Sequence, residues 1–386
     1  SPAVTGAHAP EPRKVIALSD CRLTCPRCGY EAQEGELRCP RCGSFLAYAC
    51  HRLRWTVRRD VPSMWRYADM LAFRPVRLVT AGEGYTPVVR LGPVLAKLET
   101  RNPTGSYADR ASSALVSGLV RDVYRVSYSV DFGPSMAFYA GLVGAHTVVY
   151  ARPEELDPFD TVNLARLGAS FDFTGRPELT YENQYTIEGL KTISYEIVEQ
   201  MPRADRVFVP ASTGLLAFAM RKGFREAAES AGASEPELVA VSVRGSAEPP
   251  TLDMLRDVKR VYVGAEEVTK AMVSLARRGI YARPLAAAAY SVAEAEEGVV
   301  VITGGLRRPG LSRRGSELRQ KVIEVLARLG RDVTAYEVWE QLTGYTLRGV
   351  YKALEALEEE GVVCVNALLR GRRKVRTYRL CNIGKT

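Results

Sequence analysis

The chain has 386 residues, 46% of them hydrophobic, enough to bury a large core and to divide into more than one domain. Its longest apolar runs, such as Val299 to Ile302, are strand-sized and bounded by Gly or charge, which excludes a helical membrane span and a membrane partner. The formal charge of +9 is unevenly placed: residues 1–60 carry 10 Lys and Arg against 6 Asp and Glu, residues 311–386 carry 15 against 9, and residues 61–310 carry 28 against 29. Positive charge at both ends of a neutral body is the pattern of a polyanion-binding surface. An Arg-rich solvated surface gives the same count without any partner.

Residues 1–20 start rich in Ala and Pro and lack a cationic segment followed by a long apolar one. They are expected to be a flexible tail rather than a secretory signal, in a cytoplasmic protein. Residues 21–50 contain Cys25-Pro-Arg-Cys28-Gly and Cys39-Pro-Arg-Cys42-Gly, the same five-residue knuckle twice. Four thiolates at about 2.3 Å fill a tetrahedral zinc shell and leave no position for water, so Cys25, Cys28, Cys39 and Cys42 point to structural Zn²⁺ in a zinc ribbon. The metal must supply the folding free energy of so short a segment. Two redox dithiols are the competing reading, weakened because one pair suffices and no thioredoxin-like pattern follows. Cys21 and Cys50 lie just outside the repeat and are expected to be ordinary thiols. Arg22, Arg27, Arg38 and Arg41 favour nucleic acid among the usual contacts of such ribbons.

Residues 51–310 alternate β-branched runs with helical stretches. Strands are expected at Thr147–Tyr150, Arg206–Val209, Leu238–Ser242 and Val299–Thr303, and helices at Ser135–Leu142, Ile187–Gln200 and Leu215–Ala228. The alternation predicts an α/β body with a mostly parallel sheet covered on both faces.

Several blocks within this body resemble threonine synthases. They are Gly82-Glu83-Gly84-Tyr85-Thr86-Pro87, Lys97-Leu98-Glu99, Asn102-Pro103-Thr104-Gly105-Ser106-Tyr107, Glu188 to Ile197, Val209-Pro210 and Thr303-Gly304-Gly305-Leu306. The resemblance covers roughly 60% of the chain plus the ribbon, and implies a two-lobed, tryptophan-synthase-β-like body of pyridoxal phosphate fold type II. In that family Gly-Ser-Phe-Lys-Asp-Arg supplies the lysine that forms a Schiff base with the cofactor. Here the row reads Gly105-Ser106-Tyr107-Ala108-Asp109-Arg110, and alanine has no amine.

Other positions depart from the family as well. Val130-Asp131-Phe132-Gly133 stands where the family places an Asn on the cofactor's ring hydroxyl, so the resemblance implies that Asp131 repels that oxygen and that Phe132 adds bulk to the pocket. The phosphate loop reads Ala211-Ser212-Thr213-Gly214, with one glycine left. Arg283-Pro284-Leu285 replaces Glu-Pro-Ser, and the stretch from Val239 to Val263 is shorter than the family's substrate-covering region. Ser106, Asp131, Ser212, Thr213, Gly214 and Thr303 mark the ancestral pocket, with no catalytic residue and no bound pyridoxal phosphate expected. Thr213, Gly214, Ser106 and Arg283 are candidates for holding a small anion in a reused cleft; a collapsed pocket is the alternative.

Residues 311–386 change character. Leu318, Val322, Val325, Leu326 and Leu329 share one face of a helix over 317–329. Thr334 with Glu337 forms a capping box for a second helix, Thr346 caps a third that Gly361 stops, and Val362–Leu368 and Lys374–Leu380 read as a hairpin. This order resembles a winged helix-turn-helix domain, in which the third helix enters the major groove and the wing meets the backbone. Thr346, Arg348, Tyr351 and Lys352 would read DNA, while Arg370, Arg372, Arg373, Lys374 and Arg376 meet phosphates. The acidic Glu358-Glu359-Glu360 must then face away.

Three functions follow. The first is a non-catalytic threonine-synthase-like regulator that binds DNA, as a homodimer if two recognition helices are to span one turn, and that senses a small-molecule ligand. The second is a factor bound to RNA or the ribosome through both basic ends. The third is an active synthase whose lysine was replaced by design, which the several further departures oppose.

Overall fold

The computed structural model describes residues 16–17, 20–33, 35–305, 313–370 and 373–381. Most of the expected tail and Arg372 lie outside the described residues. Strand β1 (Ile16–Ala17) opens the described chain, followed by the antiparallel pair β2 (Cys21–Thr24) and β3 (Ala47–Cys50), and by β4 (Phe73–Arg74), which pairs with β1. Ile16–Ala17 are thus strand where a tail is expected. Cys21 and Cys50 are direct partners in the β2–β3 register and form a disulfide, which corrects their reading as ordinary thiols. The cysteine-rich segment packs on the body through Phe45, edge-on to Phe218 at 5.2 Å, and through Arg38 Nη2 donating to Thr180 Oγ1 at 3.0 Å.

The body follows as β5 (Val88–Leu91), β6 (Val94–Leu98), α1 (Ala108–Gly118), β7 (Val123–Ser127), α2 (Phe132–Leu142), β8 (His146–Tyr150), α3 (Pro158–Arg166), β9 (Ser170–Asp172) and α4 (Gln184–Gln200). It continues through β10 (Arg206–Pro210), α5 (Leu215–Ala231), β11 (Glu237–Val243), β12 (Lys259–Val263), α6 (Ala265–Arg277), α7 (Pro284–Glu296) and β13 (Val299–Ile302). Each expected strand and helix is present, with ends displaced by up to three residues. The strands form two sheets: a parallel β7-β8-β9, and a six-stranded β12-β11-β10-β13-β6-β5 in which β5 alone is antiparallel to its neighbour.

Strict alternation explains how the large sheet is buried on both sides. Val207, Val209, Leu238, Ala240, Val299 and Val301 enter the core shared with α1, α4 and α5. Phe208, Val239, Val241, Val300 and Ile302 enter a second core against α6 and α7, where Ala286 to Ala289 provide a small-residue face.

The body also holds a cluster of fully buried charges. Arg110 donates from Nε and Nη2 to Glu99 at 2.8 Å each, and from Nη1 and Nη2 to Glu196 at 2.5 and 2.8 Å. Lys97 Nζ donates to Glu196 at 2.5 Å and to the Thr86 carbonyl at 2.8 Å. Beside it, Glu83 accepts from Trp65 Nε1, Ser113 and Tyr139.

The C-terminal segment comprises α8 (Arg313–Leu329), α9 (Ala335–Glu340), α10 (Leu347–Glu359) and the antiparallel hairpin β14 (Val363–Arg370) and β15 (Arg373–Leu380). The capping box at Thr334 and the Thr346 cap form as expected. Leu318, Val322, Val338, Val350, Leu354 and Tyr378 build its separate core. A second disulfide, Cys364–Cys381, ties the base of the hairpin. The segment docks on the body where Gln320 donates to the Gly141 carbonyl and where Gly82 passes under α10. A Cβ at Gly82 would collide with the Glu360 carbonyl oxygen, so only glycine admits this approach. No helix among the described residues is long and apolar enough to cross a membrane.

Removing one partner of a buried ion cluster strands the others, so Glu196→Gln is expected to cost about 3–5 kcal/mol of unfolding free energy in denaturant titration. A loss near zero would remove the cluster from any stabilising role. Burial pushes the Glu196 carboxyl up, but Arg110 and Lys97 outweigh it and hold the group at about 2 against an ordinary 4.5. Burial draws Lys97 down at the same time, so the Arg110 pair is the stronger half. A carboxyl depressed by folding stabilises the protein above its unfolded value, and that contribution is lost as pH falls from about 4.5 towards 2.

Candidate functional site

Parallel strands end, and the following helices begin, on one side of a sheet, so that side gathers loops and helix N-termini. Here β10 leads through 211–214 into α5, β13 leads into Thr303, and α2 and α7 start at the same place. Between them lies a cavity of about 350 Å³ lined by Tyr107, Asp131, Tyr181, Ser212, Thr213, Gly214, Leu216, Arg283 and Thr303 among others.

Five of the six expected pocket residues, Asp131, Ser212, Thr213, Gly214 and Thr303, meet in this lining, so the cleft has not collapsed. Ser106 does not line it; the residue is fully buried, its Oγ accepting from the Ala108 amide at 3.3 Å. Phe132 is also fully buried and stands behind the cavity, edge-on to Tyr181 at 5.5 Å, rather than filling it. Ala108 is fully buried at the first position of α1.

The charge arrangement differs from both expectations for this pocket. Asp131, left-handed at φ 69°, precedes α2, and its Oδ1 accepts from Arg283 Nε at 3.1 Å. Asp131 is therefore an ion-pair partner and not simply a repulsive carboxylate. The other guanidinium nitrogens of Arg283 reach Asp157 at 3.3 Å and Asp160 at 2.9 Å, both at the start of α3. Burial pulls the Arg283 pKa down, yet the three carboxylates hold it above the ordinary arginine range. With all three nitrogens engaged, Arg283 is not the free anion-holder the sequence points to. At the start of α5, Gly214 adopts φ 88°, and a Cβ there would lie 2.9 Å from Leu252, whose side chain covers the loop. The Leu215 amide already donates to Thr213 Oγ1 at 3.2 Å.

Sequence reasoning missed Tyr181, Asp157 and Asp160, which reach the site from distant loops. Tyr107 was legible as the neighbour of Ala108.

The chain's relatives bear on this cavity. Residues 176–304 match the family model of the pyridoxal-phosphate dependent enzymes. The chain is 26% identical to the threonine synthase of Methanosarcina acetivorans over 204 residues, which cover 44% of this chain and 50% of that one. It is likewise 26% identical to the threonine synthase of Halalkalibacterium halodurans over 221 residues, covering 48% and 62%. The chain thus matches about half the length of the first of these relatives. Among solved structures, maize serine racemase gives a TM-score of 0.47 at 16% identity, covering 60% of this chain and 92% of that one. Cystathionine β-synthase of Helicobacter pylori gives 0.48 at 16% identity, covering 58% and 94%.

The lining does not fit a pyridoxal phosphate held as a Schiff base. No lysine is among the described residues that line the cavity. Lys97 and Lys191 are buried and committed to Glu196 and to Glu188 and Glu226 respectively.

The four cysteines of the N-terminal segment do converge. Cys25, Cys28, Cys39 and Cys42 place their sulfurs within 4.8 Å of one another, Cys25 to Cys42 and Cys28 to Cys39 at 3.5 Å, a set able to hold a metal ion. Burial pushes Cys25 up to about 12, while the backbone N–H groups of Cys42 and Arg41 outweigh burial at Cys39 and draw it to about 7.

Thr346, Arg348, Tyr351 and Lys352 share an exposed face of α10 and its cap. Arg376 is exposed but salt-bridged to Glu358 at 2.7 Å. Glu360 turns towards the body and pairs with Arg319, so the acidic run is dispersed rather than presented as one face. Of Arg370, Arg373 and Lys374 the structure describes the strand positions alone.

Metal analysis of protein purified without chelator is expected to find about one zinc ion per chain, and Cys39→Ser to abolish it. Metal-free native protein with four reactive thiols would count against a metal site.

Proposed function

We propose that this protein is a nucleic-acid-binding regulator, acting on duplex DNA, in which a threonine-synthase-like body serves as a non-catalytic scaffold between a zinc ribbon and a winged-helix domain. The observation that carries the reading is the open face of α10. Its N-terminal half, with Arg348, Tyr351 and Lys352, is exposed while its opposite face is committed to the segment's core. A helix of that kind, followed by a hairpin rich in Arg and Lys, suits insertion into a major groove with the hairpin beside the phosphates. Support for the loss of catalysis comes from Ala108 and from the described lining residues, none of which is a lysine. Structured RNA is the second reading, favoured by the exposed Arg22, Arg27, Arg38 and Arg41 at the other end of the chain.

Fluorescence anisotropy with duplex DNA and with a folded RNA tests both. Arg348→Ala with Lys352→Ala is expected to weaken DNA binding roughly ten-fold or more and to flatten its salt dependence by about one to two in log–log slope. Unchanged DNA affinity would exclude α10 as the reading element, and tighter, equally salt-dependent binding to RNA would transfer the reading to the second ligand. For the body, Ala108→Lys is expected to yield neither a Schiff-base absorbance band with pyridoxal phosphate nor threonine. The appearance of both would return the chain to the enzymes.

A further inference from the structure

The positive charge at the amino-terminal end sits mostly beyond the cysteine-rich segment. Residues 1–50 carry 6 Lys and Arg against 5 Asp and Glu, whereas residues 51–60 carry 4 against 1. This short stretch, from His51 to Asp60, leaves the Cys21–Cys50 disulfide and runs to the C-terminal segment. There Pro62 lies against Gly361, where an added Cβ would collide with the proline ring. Gly361 stands between the end of α10 and the start of β14. Residues 51–62 therefore join the base of the cysteine knuckles to the base of the basic hairpin.

The stretch is held to the body by its apolar side chains. Trp55 stands edge-on to Tyr195 at 5.5 Å and tilted to Tyr67 at 6.3 Å, and Val57 packs on the same cluster. The Arg58 amide donates to the Arg66 carbonyl at 2.8 Å, and its guanidinium donates to both carboxylate oxygens of Asp69 at 2.9 and 2.8 Å. With Arg58 so committed, Arg52, Arg54 and Arg59 are exposed and form no ion pair among the described residues. Arg52 has φ 60°, a left-handed conformation that glycine or asparagine adopts at less cost. Exposed guanidinium groups gathered on a fixed support make a local positive field that an extended polyanion relieves.

We propose that residues 51–59 form a strap for the phosphate backbone of duplex DNA, in which Arg52, Arg54 and Arg59 neutralise phosphates of the duplex held by α10, whatever its base sequence. Guanidinium groups match phosphate geometry, and contacts to the backbone alone need no pocket. Asp60, also exposed, bounds the strap on the side of Pro62. The inference rests on the DNA-binding reading above and extends its contact surface from the hairpin base towards the cysteine knuckles.

The test is fluorescence anisotropy of the full chain with duplexes of unrelated sequence and with a folded RNA, repeated across salt concentrations. Arg52→Gln, Arg54→Gln and Arg59→Gln together are expected to lower the log–log salt slope by about two to three and to weaken binding about ten-fold or more, equally for every duplex. Lysine at the same three positions is expected to keep the slope, because the charge survives. An unchanged slope in the glutamine variant, equal losses in the lysine and glutamine variants, or a change confined to the RNA would overturn the proposal. Weakening by Arg348→Ala with Lys352→Ala but not by the glutamine variant would sink this inference alone. The reverse pattern would sink α10 as the reading element and leave the strap standing, while a chain that binds no duplex at any salt concentration would sink both.

Discussion

Arg110 organises the body. Its guanidinium, fully buried, joins Glu99 at the end of β6 to Glu196 on α4, and Lys97 closes the same cluster from the strand side. In a low-dielectric interior such charges tolerate no missing partner, so the elements that carry them are held in fixed relation. The helix that begins at Ala108 is therefore positioned by its third residue, whatever stands at its first. This separates the hold on α1 from the side chain at its first position.

That separation explains which parts of the resemblance survive. The blocks around Glu83, Lys97-Leu98-Glu99, Asn102 and Glu188 to Ile197 contribute to the buried polar network, where Asn102 Nδ2 donates to Glu99 at 2.7 Å and Thr86 Oγ1 donates to Glu99 at 2.7 Å. Changing any of them strands buried polar groups. The positions read in the sequence as departing from the family, Asp131, Ser212 and Leu285, line the cavity instead.

Much of the architecture was legible because its signals are local. The Thr334–Glu337 box, the Thr346 cap and the apolar spacing of Leu318, Val322 and Val325 are each read within a few residues, and each appears in place. The paired Cys-Pro-Arg-Cys knuckles were equally plain. The cavity's charge was not legible, since Arg283 meets Asp131 across 152 residues and no periodicity announces that meeting. The disulfides escaped notice for a related reason. Cys21 pairs with Cys50 through the register of two strands, and a cysteine count does not fix register.

All eight cysteines of the chain fall within 21–50 and 364–381, and none in the body between. Each extremity is stitched shut at its base, the first stitch enclosing the four converging thiols and the second the basic hairpin. Every thiol- or disulfide-directed reagent, whether reductant or fluorescent maleimide, therefore addresses the two end segments and passes over the body. Cysteine chemistry partitions this molecule along the same lines as its charge.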